Sequence, residues 1–175
     1  MISKKSVVIK VLEILFSIAF VEFCLEASVI LVLFIGSFIV NPEASKQLYL
    51  GLNLFDLYSF SKPYYISTVL LLIALTGLKS FIAYLTFSVF SKFQLSKPFN
   101  KELTEMLLRI SHVSLGTGIL SIIASWYCQW ISKKGVAIPI DWTGNEILFF
   151  AGVIYIIALV FKKGTDLQTE HDLTV

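Results

Sequence analysis

Four ionisable residues stand inside apolar runs: Glu22 and Glu26, then Lys79, then His112. A charge inside a bilayer is expensive, so each needs a partner or a use. Glu22 and Glu26 lie one helical turn apart and share a face. If hydrocarbon begins near residue 18, Glu26 lies roughly 12 Å deep, with Lys79 and His112 roughly 10 and 8 Å from the same edge. The four can therefore share one layer, in which Lys79 pairs with Glu22 or Glu26 and His112 stands nearby. Glu13 falls about half a turn of azimuth from Glu22 and is expected at the inner interface, reaching water. The first use of such a layer is to lock helix register. The second is a proton- or cation-responsive site, because His and Glu are the usual relay residues. Catalysis comes last, since the chain has no HExxH, GxSxG, Walker or GxGxxG pattern. One His beside two carboxylates is a poor metal set. No catalytic residue, cofactor or metal is expected.

Helices in a membrane must hold these residues. Of the 175 residues, 57% are hydrophobic and only 15% charged, against about 25% charged in soluble domains. The net charge of +2 does not suggest a nucleic-acid surface. Cys24 and Cys128 both lie in apolar runs and form no CxxC or Cys/His cluster, so they read as inert thiols. Four stretches approach the roughly 20 apolar residues a membrane helix needs: residues 7–40, 64–90, 106–131 and 147–161. Breakers separate them: NPEAS, SKP, LSKPFN, and KKG with IP. The N-terminal run resembles a signal peptide but is expected to stay, because Glu13 interrupts it and no A-x-A site follows.

Lysine and arginine set the direction. One side collects Lys4, Lys5, Lys10, Lys92, Lys97, Lys101, Arg109, Lys162 and Lys163; the other has Lys46, Lys62, Lys133 and Lys134. Both termini are expected in the cytoplasm, with Trp126, Trp130 and Trp142 forming an outer aromatic belt. The fold expected is an all-α membrane protein, a single domain of four transmembrane helices in an up-down bundle. The outer loops are unusually apolar. Leu48, Leu50, Leu52 and Leu54 alternate, as do Val136, Ile138 and Ile140, which suggests a small cap of paired strands or an interfacial helix. On the third span Ser114, Thr117, Gly118, Ser121 and Ser125 share one face, which suits close helix packing first and a polar lining second.

The chain closes on FKKGTDLQTEHDLTV. Lys162 and Lys163 fall at headgroup level, Gly164 can end the helix, and Thr165 with Gln168 has capping-box form. Residues 162–175 are then a cytoplasmic tail, either one helical turn or an extended peptide. This string resembles the closing motif of a bacterial membrane family, domain of unknown function 2975. The matching residues are Phe161, Lys162, Lys163, Gly164, Leu167, Gln168, Glu170, Asp172, Leu173 and Thr174. A second match is Lys97-Pro98-Phe99-Asn100-Lys101-Glu102, a Pro-Phe pair before an acidic helix start. The stretch from Leu78 to Tyr84 is similar to one variant of the family, and the four-span layout matches across nearly the whole chain.

The resemblance implies a multi-pass protein of the bacterial cytoplasmic (inner) membrane with no established activity. Members are often encoded beside a very small helix-turn-helix regulator of the Cro/repressor class. Such a regulator is the expected cytoplasmic partner, and this chain has no DNA-binding segment of its own. The docking surface would comprise Pro98, Phe99, Gly164, Asp166, Gln168, Glu170, Asp172, Leu173 and Thr174. The function expected first is a non-enzymatic membrane sensor or regulator. The alternative is a small transporter or channel using the Glu/Lys/His layer, which would require a homo-oligomer because one such bundle is small for a solute path.

Overall fold

The computed structural model describes residues 7–49, 51–93 and 100–173, the side chains of 169 and 171–173 excepted. It consists of α1 (Val7–Ile39), a single 3₁₀ turn (Pro42–Lys46), α2 (Phe55–Phe60), α3 (Lys62–Lys92), α4 (Lys101–Ser132) and α5 (Gly144–Leu173). The long helices have 33, 31, 32 and 30 residues. At 1.5 Å per residue each is about 45–50 Å long, more than a hydrocarbon core of about 30 Å requires.

Their ends follow local chemistry. α1 stops before Asn41-Pro42, because the residue preceding proline avoids the helical region. Asn41 then caps the 3₁₀ turn by accepting from the Glu43 amide at 2.9 Å. In the same turn, hydrogen bonding to the Lys46 ammonium at 2.6 Å holds the Glu43 carboxyl below its usual range. Pro63 stands in the first turn of α3, where its missing N–H costs nothing. Asn100 caps α4, its side chain accepting from the Leu103 amide at 2.8 Å. Asn100→Ala should therefore destabilise the chain by about 1 kcal/mol. Thermal unfolding in detergent measures this, and an unchanged midpoint would show that the cap does not matter.

Each long helix runs antiparallel to the next. Phe16 stacks on Phe90 while Phe34 meets Tyr65, at opposite ends of the α1/α3 pair. Arg109 lies over Phe81 while Trp130 meets Tyr64. Thr104 meets Thr165 at 3.0 Å while Gly118 abuts Leu148. The up-down order is thus as expected. The packing is a row in chain order, and among the described residues α1 and α5 do not meet. α1 packs along α3 on one side, and few residues of its most apolar stretch are fully buried.

The densest core lies at one end. There α2 and the two connecting loops fold over the ends of α1, α3 and α4, and Leu48, Leu54, Leu57, Tyr65, Val69 and Ile131 are essentially buried. Tyr65 donates to Ser37 at 3.1 Å, and Lys134 donates to Tyr64 at 2.7 Å while lying over the Trp130 ring. This is the capped end; the other is the tail end, where Lys92 pairs with Glu102.

Three expectations change here. The cap contains no strand among the described residues. The Leu48 amide donates to the Leu52 carbonyl and the Leu54 amide to the Ser45 carbonyl, so the alternating leucines mark burial without a paired ladder; Leu50 lies outside the described residues. Trp142 is not in an aromatic belt but buried, whereas Trp126 and Trp130 are exposed. The fourth helix begins at Gly144 and does not end near Phe161 or Gly164. It continues to Leu173, because contact with α4, where Thr104 meets Thr165 at 3.0 Å, outweighs the local preference of glycine for a helix end.

Candidate functional site

Residues 136–143 form a strap that descends from the cap to the start of α5. Gly144 lies against Ile122, whereas α4 continues to Ser132. α5 therefore begins about 15 Å below the α4 end. Two glycines permit this approach. A Cβ on Gly144 would stand 3.0 Å from the Ile122 backbone nitrogen, and one on Gly118 would stand 2.7 Å from the Leu148 side chain. At the junction Thr143 has φ 47°, a left-handed conformation unusual for a β-branched residue. Asp141 holds it by accepting the Thr143 amide at 3.1 Å. The Lys79 ammonium also donates to the Thr143 hydroxyl at 3.4 Å.

The strap divides two cavities. One, of about 220 Å³, lies towards α1 and α3, with Glu26, Thr76, Lys79, Asp141 and Trp142 in its wall. The other, of about 260 Å³, lies between α4 and the start of α5, with Ser121, Ser125, Gln129, Asp141, Asn145 and Glu146 among its lining residues. Asp141 and Trp142 face both.

The four ionisable residues of the apolar runs divide accordingly. Glu26 and Lys79 line the same cavity but form no ion pair among the described residues; the lysine bonds to Thr143 instead. Its side chain points towards the capped end, since helical side chains lean towards their helix N-terminus. Glu22 is exposed on α1. His112 lies on another face, its ring nitrogen 2.7 Å from the Leu108 carbonyl and its ring edge-on to Tyr155. The depth arithmetic could not fix azimuth, and azimuth separates His112 from the lysine. No set of three or more His, Cys, Asp or Glu side chains suited to a metal occurs among the described residues.

Most of the small-residue face on α4 is packing. Ser114, Thr117 and Gly118 are buried. Thr117 bonds to its own helix at Val113, and Ser111 donates across to the Ala151 carbonyl at 3.1 Å. Ser121 and Ser125 are different, because they line the larger cavity at the capped end.

At the tail end α4 and α5 form a groove of about 710 Å³. Lys101, Glu105, Lys162, Asp166 and Glu170 line it. Gly164 and Gln168 are helical residues of the same segment. Pro98, Phe99 and Thr174 lie outside the described residues, as do the side chains of Asp172 and Leu173.

Asp141, Thr143 and Glu146 were not among the expected site residues. A signal was available: Thr143-Gly144-Asn145-Glu146 has the Ser/Thr-x-x-Glu form that opens a helix. α5 begins at Gly144, three residues before the apolar run.

Among the described residues, these features define an all-helical protein with four helices long and apolar enough to cross a membrane. No family model, curated protein or solved structure matches the chain.

Proposed function

We propose that the protein is a non-enzymatic sensor or regulator of the bacterial cytoplasmic membrane that binds a cytoplasmic partner through its tail end. One observation carries the reading. α5 is an unbroken helix whose first turn lines the cavity at the capped end and whose last turns line the groove at the tail end. A helix is a rigid rod, so a shift of the strap at Thr143 is a shift of Asp166 and Glu170. One packed helix joining two sites offers a physical route between them, and coupling along it requires a strap with two states. The lysine and arginine distribution supports cytoplasmic termini. The tail residues from Phe161 to Thr174 support membership of the family domain of unknown function 2975. They also support, as partner, a small helix-turn-helix regulator of the kind encoded beside its members.

A crosslinking pull-down from native membranes tests the reading, comparing the full chain with one truncated after Lys163. Capture of a small DNA-binding protein by the full chain alone is the expected result. Equal capture by both forms, each inserted and folded, would reduce the tail to an anchor. A second reading, a small oligomeric transporter, is favoured by the polar cavity around Glu26 and Lys79. Solute flux into liposomes holding only this protein would select it.

A further inference from the structure

The cavity of about 260 Å³ between α4, the strap and α5 has a chemistry of its own. Asp141 and Glu146 bring two carboxylates to its lining, and no lysine or arginine lines it. Lys79 reaches Thr143 without lining this cavity. The α5 N-terminus contributes a positive end equivalent to roughly half a charge, which two carboxylates outweigh. Ser121 supplies an independent sign of an occupant. The residue is fully buried and belongs to the cavity lining, and its hydroxyl has no hydrogen-bond partner among the described residues. A buried hydroxyl without a partner is costly, which points to a group that completes it. Gln129 gives its amide N–H to Ser125 at 3.3 Å, so its carbonyl oxygen remains an acceptor.

Carboxylates, a side-chain carbonyl and a hydroxyl together ask for a positively charged donor. The space far exceeds the ~30 Å³ share of one water, so a bare metal ion would leave most of it empty. Trp126 and Trp142 add aromatic surface to the same lining, and aromatic rings attract organic cations. We infer that this cavity binds a small protonated amine, through charge-assisted hydrogen bonds to Asp141 and Glu146 with Ser121 and Gln129 as further partners. An ammonium group is donor-only, which suits the acceptors of Asp141, Glu146, Ser121 and Gln129; the buried Trp142 Nε1–H of the same lining is a donor that it would leave unserved. Because Asp141 also holds Thr143, an occupant would bear directly on the junction that sets the position of α5. The inference deepens the sensor reading by naming the class of stimulus.

Binding is measured on the full chain in phosphatidylcholine nanodiscs, by tryptophan fluorescence and calorimetry, and needs no cytoplasmic partner. Its failure is therefore distinct from failure of the pull-down. The probes are ethanolamine and putrescine hydrochlorides, with sodium and calcium chlorides at matched ionic strength as comparison. Saturable binding of an amine is expected. Asp141→Asn and Glu146→Gln should each weaken it about tenfold, the usual scale of one hydrogen bond to a charged group. Both substitutions keep side-chain shape, and an unchanged thermal midpoint establishes that the variants are folded. Suppression of the ethanolamine signal in nanodiscs containing phosphatidylethanolamine would assign the amine to a lipid headgroup; an unchanged signal would assign it to a free solute. The inference is overturned if neither amine binds, if the double variant binds as well as the original chain, or if calcium alone binds at these residues.

Discussion

Leu57→Ala is expected to destabilise the protein by about 2–5 kcal/mol, the usual cost of emptying a buried leucine site. Leu57 is on α2, outside the four long helices, yet it is fully buried. Its core companions come from α1, the loop after it, α3, α4 and the strap: Ile30, Leu48, Val69, Ile131 and Val136. Loss of the side chain empties part of a cluster to which five other segments contribute. Lipid cannot fill it if the cap closes the end as tightly as this burial indicates. The thermal midpoint in detergent is the first readout. The second is the rate at which Cys128 reacts with a maleimide. Cys128 is buried beside Leu75, Ala124 and Trp142, a cluster that shares Leu72, Tyr127, Ile138 and Ile140 with the cap core. Loosening the cap should expose it. An unchanged midpoint with unchanged labelling would mean that the loops only rest on the helices and contribute no core.

Gly164→Pro is expected to break α5 at a cost of about 3 kcal/mol or more. Position 164 is helical and only partly exposed. Proline there lacks the N–H that bonds to the Val160 carbonyl, and its ring collides with that carbonyl. Thr104 and Thr165, which join α4 to α5 at 3.0 Å, lie one residue beyond the break. Amide hydrogen exchange of residues 165–173 should accelerate sharply, while residues 144–160 keep their protection. On the sensor reading, partner capture should fall with it although every acid of the tail is retained. Retained protection beyond 164 would show that the helix tolerates the proline. Lost protection with undiminished capture would show that the tail is recognised as a peptide, without needing the rod.

The glycine is instructive because the sequence argument treated it as a stop. Glycine favours a helix end only where the chain gains by leaving the helix, usually through the left-handed turn at Gly135, where φ is 100°. At Gly164 the helix continues, with Thr165 bonded to the Phe161 carbonyl one turn back at 2.9 Å. Local propensity was the weaker influence, and contact with α4 decided the outcome.

The ionisable residues divide along the same line. Their presence within apolar runs, and the depth of each, follow from residue type and helix rise. Their pairing did not follow. Lys79 was given a carboxylate partner on α1 because hydrocarbon was assumed around it. In the structure, the strap brings the hydroxyl of Thr143, 64 residues further along the chain, to its ammonium. His112 was grouped with them by depth, but its ring faces Tyr155 of α5.

By itself the sequence determined four long apolar helices, their antiparallel order, their breaks at Pro42, Pro63 and Asn100, and the charged asymmetry of the two ends. These depend on run length, on backbone chemistry within a few residues, and on counting lysines. The tertiary structure decided which apolar residues are covered by protein and which are left exposed, because the same composition satisfies both. It also decided that the alternating loop residues cap the helices without forming strands. Above all, it placed the start of α5 deep beside Ile122, under a strap carrying Asp141 and Thr143. That placement rests on two glycines and a strained junction packing against other helices, contacts to which no local pattern points.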